Sequence, residues 1–321
     1  MSDSTRNSSK SKQDHNINDK LNFSEELSKE FLREMKLKRR WGIFFKAAFL
    51  FPLVIIIVGQ FIDFNYSADD FSGPAVGLIR INGVIGGNVG VSSESISNSL
   101  ERAFRNPRLV GLILLINSPG GTPVQSSLIN QAIWHYREQN PEKKIIAVIE
   151  DICASGGYYI ASAAQEIYAD SSSLVGSIGV RLDSFGFDEA MNKIGIERRL
   201  FVAGQKKGLL DPFSPLNDSD KKVAEELLAD LHETFIGAVM KGRKDKLKSS
   251  QVFSGLVWSG KKSLELGLID GLGSYRSISQ NIFSSDNIVD YTEKTFGLQR
   301  ALDGLKEQIF HMLNEKSFFI Y

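Results

Sequence analysis

Three long apolar runs constrain this chain more than anything else in it: Ala75–Ile81, Leu109–Ile116 and Ile145–Ile149. Rich in Ile, Leu and Val, they offer almost no polar position for a wet face, so each is expected to be a strand of a largely parallel sheet covered on both sides. Between the second and third, Val124, Leu128, Ile129, Ala132, Ile133 and Tyr136 recur at helical spacing behind Thr122 as cap and Pro123 at the first helical position. Strand, turn, helix and strand in this order make an α/β unit. A second helix, over about 218–241, carries Val223, Leu227, Leu231, Phe235 and Val239 as a core-facing stripe. With 42% apolar residues in 321, the chain can build a substantial core.

Ahead of this region, residues 41–63 open with WGIFFKAAFLFPLVIIIVGQFI. As a helix that stretch would cross the roughly 30 Å of a bilayer's apolar layer. It reads as a transmembrane helix, with Trp41 at the interface and Lys46 able to snorkel back to it. Lys36, Lys38, Arg39 and Arg40 precede it and Asp63, Asp69 and Asp70 follow, a bias that places the N-terminus in the cytoplasm and everything after the span outside. Residues 1–40 then form a cytoplasmic tail whose first half is too polar to fold, residues 64–285 the globular domain, and residues 286–321 a C-terminal amphipathic segment marked by Leu298, Leu302, Leu305, Ile309 and Leu313.

Charge and composition exclude several functions. Thirty-eight basic residues balance thirty-eight acidic ones, so no overall field favours nucleic acid. Cys153 is the single cysteine and no His/Cys cluster has ligand spacing, so neither a disulfide framework nor a metal site is expected, and no cofactor is implied. Two turns carry chemistry instead. Asn117-Ser118-Pro119-Gly120-Gly121 follows a strand and opens a helix, which suits backbone N–H groups to an oxyanion, although such a turn is commonly only a turn. Ser155 stands before Gly156 and Gly157 on the next strand-to-helix turn, either as a nucleophile or as a plain helix cap. His15, His135, His232 and His311 are poorly placed to be its base; His135 and His232 fall on ordinary helices. A desolvated lysine can replace histidine in that role.

The motifs INSPGG (116–121), ASGGYYIA (154–161), VGSIGV (175–180), AGQKKGLLDPF (203–213) and GLVWSGKKSLELGLIDGLG (255–273) together resemble the signal peptide peptidase A (protease IV) family of Ser-Lys peptidases in its short membrane-anchored form. The resemblance implies Ser155 as nucleophile, Lys207 as general base, Ser177 as the hydroxyl orienting that lysine, and an oxyanion hole from Gly120, Gly121 and Gly156. Lys206 is the alternative base should the loop shift by one residue. It also implies a ClpP/crotonase-like fold of repeated β-β-α units and a homo-oligomeric ring, commonly octameric, in which serine and lysine meet across neighbouring copies. Substrates would be apolar extended peptides such as signal-peptide remnants, cut on the periplasmic or other extracytoplasmic side of a bacterial inner membrane. An inactive scaffold of the same fold and an acyl-CoA enzyme of the crotonase superfamily are the alternatives.

Overall fold

The computed structural model describes residues 73–86 and 90–293, together with 33, 35, 38–42 and 44–51. The chain divides into two units, residues 1–70 and 71–321. In the first, the described residues are helical, and Trp41 meets Phe44 edge-on while Phe49 and Phe51 are exposed. Among the described residues no helix is long and apolar enough to cross a membrane. Residues 52–63 of the expected span, and 294–321 where the C-terminal helix is expected, lie outside the described residues.

The second unit is built on one mixed sheet. Its strands are β1 (Ala75–Asn82), β2 (Leu109–Ser118), β3 (Lys144–Ala154), β4 (Glu166–Ala169), β5 (Leu174–Gly176), β6 (Val257–Ser259), β7 (Gly271–Leu272) and β8 (Ile288–Asp290). The order is β6-β5-β3-β2-β1-β8, with β4 pairing β3 and β7; every pair is parallel except β5 with β6. The helices are α1 (Ser93–Arg105), α2 (Pro123–Gln139), α3 (Gly156–Ala161), α4 (Asp188–Lys193), α5 (Asp218–Arg243), α6 (Gly260–Leu266) and α7 (Tyr275–Phe283). Among the described residues strands and helices alternate from β1 to β4, rather than in the β-β-α repeats that the family resemblance implies. Between β1 and α1, where a second strand would fall, Ile85 makes only isolated bridges to Val91 and Gly121.

The three apolar runs are the central strands, and their side chains alternate between two cores as the pleat requires. Ile79, Ile81, Leu112, Leu114, Ala147 and Ile149 enter the larger core with residues of α1, α2, α3 and α5. Val76, Leu78, Ile113, Leu115, Ile146 and Val148 meet Ile278 of α7 on the other face. Each such burial contributes about 1.5–3 kcal/mol, and the one charged residue within the three stretches, Arg80, is only part-buried and pairs with Asp290 of β8 at 2.9 Å. Gly111 lets α7 approach, since a Cβ there would sit 2.0 Å from the Phe283 ring.

Two helical stripes differ from expectation. On α2 the buried residues are Ser126, Ile129, Asn130 and Ile133, while Val124 and Leu128 are 67% and 44% exposed. The helix is turned by its polar anchor: the Asn130 side-chain amide donates to the Tyr159 carbonyl at 2.7 Å, tying α2 to α3. Thr122 stands at the cap position but its side chain makes no capping bond. On α5 only Phe235 and Val239 of the stripe are buried, and Leu227 and Leu231 stay exposed because only the C-terminal half of this helix reaches the core.

Candidate active site

β3 runs five residues past the apolar core, to Ala154, because its first part pairs with β4 through Ile146–Ile149 and its last three residues with β5. That extension delivers Ser155 to the turn into α3. There its backbone adopts φ 52°, ψ −122°, in a region costing a non-glycine residue about 1–3 kcal/mol. Its N–H is tied to the Gly176 carbonyl at 2.9 Å. Although Ser155 occupies the N-cap position of α3, its side chain makes no capping bond, so the plain helix-cap reading fails and the hydroxyl is left to other work. It opens onto a cavity of about 1110 Å³ whose apolar wall includes Val124, Leu128, Leu231 and Phe235. Val124, Leu128 and Leu231, exposed residues of the two displaced stripes, therefore line this cavity, whereas Leu227 does not.

The two glycine turns are in contact. A Cβ on Gly120, which has φ 107°, would lie 2.8 Å from the Cβ of Ser155 and 2.8 Å from the nitrogen of Gly156. A Cβ on Gly156 would lie 2.3 Å from Ser126 Oγ and 3.2 Å from the nitrogen of Gly121. The Gly120 N–H donates to Ser118 Oγ at 3.1 Å, so of the three glycines expected to form an oxyanion hole this one is occupied. Among the described residues no hydrogen bond engages the N–H of Gly121 or of Gly156, and both glycines line the cavity beside Ser155.

Ser177 follows β5 at φ 53° and lines the same cavity. Ala154 and Gly176 are paired across β3 and β5, which sets Ser155 and Ser177 on adjacent turns. Lys207 is elsewhere. It lies exposed in a turn where its N–H donates to the Gly204 carbonyl at 3.1 Å, and it does not line the cavity. Lys206 is fixed, with Nζ 2.7 Å from Asp220 and 2.6 Å from Ser219 Oγ, and its ammonium holds the Asp220 carboxyl below the usual range. Cys153 is wholly buried and burial pushes its thiol far up, so it is no competing nucleophile.

One residue of the cavity is set aside on the sequence as lying on an ordinary helix. His232, on α5, lines it with its Nε2 3.2 Å from the carbonyl of Ile178. A lone histidine on an amphipathic helix gives no sequence signal. The nearest hint is its place one residue after Leu231 on the stripe that turns out to face the cavity.

Residues 137–287 match peptidase family S49, a stretch holding Ser155, Ser177, Lys206 and Lys207. That stretch, similar to the family, makes up a little under half of the chain. The chain is 30% identical over 185 residues to a protein of Arabidopsis thaliana named serine protease SPPA, chloroplastic, covering 57% of this chain and 27% of that one. It is 44% identical over 212 residues to a Brucella abortus protein named Na(+)/H(+) antiporter NhaA, covering 64% of this chain and 29% of that protein. The chain spans less than a third of the length of either protein. Among solved structures, a membrane-bound stomatin-specific protease (1510-N) is similar at 12% identity and a TM-score of 0.42, over 70% of this chain and 96% of that one.

Proposed function

We propose that this chain is a serine endopeptidase acting through a Ser155–Lys207 dyad, and that the observation carrying the reading is Ser155 itself. A serine held at strained positive φ, freed from capping, beside two unengaged glycine N–H groups on a large cavity, has the properties of an activated nucleophile on a turn. In the reaction, neutral Lys207 Nζ takes the Ser155 Oγ proton as Oγ attacks the scissile carbonyl. The N–H groups of Gly121 and Gly156 receive the oxyanion. The Lys207 ammonium gives its proton to the leaving amine; neutral Lys207 Nζ then takes a proton from the water that attacks the acyl-serine, and passes it to Ser155 Oγ as the acid product leaves. Ser177 orients the lysine.

Lysine is a base when desolvated without a counter-ion. Lys206 has Asp220 as its partner, whereas Lys207 has no carboxylate partner among the described residues, which favours Lys207. The dyad is read as completed between copies of the chain. Supporting this, Lys207 belongs to a segment, residues 181–217, that contributes nothing to the core and exposes Phe185, Ile194, Phe201 and Leu216 at 64–91%. Apolar surface of that extent calls for a partner, and a ring of identical chains, octameric as in short relatives, supplies one. The ClpP/crotonase-like assignment, the single transmembrane span at 41–63 and the extracytoplasmic site of action belong to the same proposal. The apolar cavity suits extended apolar peptides such as signal-peptide remnants.

Cleavage of a fluorogenic apolar peptide by the full chain in detergent tests the dyad. Ser155→Ala and Lys207→Ala should each lower kcat at least about 1000-fold, and Lys206→Ala should leave it within about 3-fold. Activity surviving Ser155→Ala would remove the peptidase reading.

A further inference from the structure

The loop that carries Ser177 has few internal supports. Residues 177–180 leave β5 with Ser177 at φ 53°, a conformation that a serine holds only when its surroundings fix it. On one side the 254–256 segment grips it: the Ser177 N–H donates to the Leu256 carbonyl at 2.7 Å, and the Gly255 N–H donates to the Ile178 carbonyl at 3.1 Å. From the opposite wall of the cavity a single side chain reaches the same carbonyl. His232 Nε2 lies 3.2 Å from the Ile178 oxygen, and because a carbonyl can only accept, that nitrogen carries the proton. The partners then run in an unbroken order: Ser155 N–H to the Gly176 carbonyl, Ser177 next in the chain, and Ile178 held by His232.

We infer that His232 is a positioning residue, holding the Ser177 loop at the angle from which the Ser177 hydroxyl meets the catalytic lysine. The inference rests on the dyad reading above. His232 touches no reacting atom in this role. It bolts α5, which forms the far wall of the cavity, to the loop that follows β5, so one side-chain bond links the width of the cavity to the aim of Ser177 while the 254–256 segment holds the loop from the other side. A displacement of about 1 Å at such a point costs on the order of 100-fold in rate when it moves a catalytic group.

The test compares kcat and KM for an apolar fluorogenic peptide in wild type, His232→Ala, His232→Gln, Ser177→Ala and the His232→Ala/Ser177→Ala double variant, all as full chain in detergent. His232→Ala should lower kcat about 10-fold or more with KM within about 3-fold, and His232→Gln, which keeps a donor, should recover most of the loss. In the Ser177→Ala background the His232→Ala change should add less than about 2-fold, because the group it aims is already gone. Losses that multiply, a loss confined to KM, or no loss would each overturn the inference. Should His232→Ala not fold, His232→Phe set against His232→Gln makes the same comparison. Wild type and Ser155→Ala of equal activity would bring down the dyad reading and this inference with it; a Ser155-dependent wild type indifferent to His232 brings down this inference alone.

Discussion

At the scale of single residues, Ser155 stores strain where the chemistry is proposed. Its φ of 52° and ψ of −122° suit glycine, and the Gly176 carbonyl that accepts its N–H helps hold it there. Replacing the serine therefore separates strain from reactivity. Both Ser155→Ala and Ser155→Gly lose the hydroxyl, but only glycine relieves the backbone. Ser155→Gly should melt above Ser155→Ala by the equivalent of about 1 kcal/mol, measured by thermal unfolding of the two inactive proteins. Equal melting, or alanine the more stable, would show that the turn carries no strain. Gly156 is constrained differently: the space a Cβ would need is occupied by Ser126 Oγ, so packing rather than torsion demands glycine there.

Between elements, the C-terminal end of α5 is held to the sheet by a buried ion pair. Arg243 is fully buried and donates to Asp270, which also accepts from Lys246 Nζ at 2.7 Å and from the N–H of Ile167 in β4 at 2.8 Å. Burial pushes the Asp270 carboxyl up, but hydrogen bonds from Arg243 and Lys246 outweigh it and leave the carboxyl below its ordinary value. A depressed carboxylate contributes stability above the unfolded value of about 3.9, and that contribution is lost as pH falls through the folded value. Asp270→Asn should cost about 3–5 kcal/mol near neutrality by stranding the Arg243 charge, and the gap from wild type in denaturant melts should shrink below about pH 4. A gap that holds constant into acid would assign the loss to packing. The same elements show what the sequence could reveal. β1, β2 and β3 were legible because strands buried on both faces leave long apolar runs, broken only by Arg80 in β1. β7 and β8 are two and three residues long and carry no such run. Val124 and Leu128 were legible as a helical stripe, but periodicity says only that a face is apolar, not whether core or cavity receives it. The Ser155 turn could be read because its motif is contiguous; the link from His232 to Ile178 spans 54 residues and joins a side chain to a backbone atom, which no spacing encodes.

The whole molecule raises the question of where Lys207 works. In one chain it sits exposed on the 181–217 segment and does not line the cavity that Ser155 faces. If the dyad forms between copies, a defect in one member can be covered by its neighbour. Ser155→Ala and Lys207→Ala proteins, each inactive alone, would then complement when unfolded, mixed in equal amounts and reassembled. An active site needs an intact serine from one copy and an intact lysine from the next. Random mixing in a head-to-tail ring gives that arrangement at about a quarter of the interfaces, so about a quarter of wild-type activity should return. Phe201→Glu, placing a charge at a side chain 91% exposed on the same segment, should reduce the mass seen by light scattering and abolish the regained activity together. A dyad closed within one chain gives no activity on mixing however well the rings form. Assembly confirmed by scattering with no regained cleavage would therefore place the base elsewhere in Ser155's own subunit.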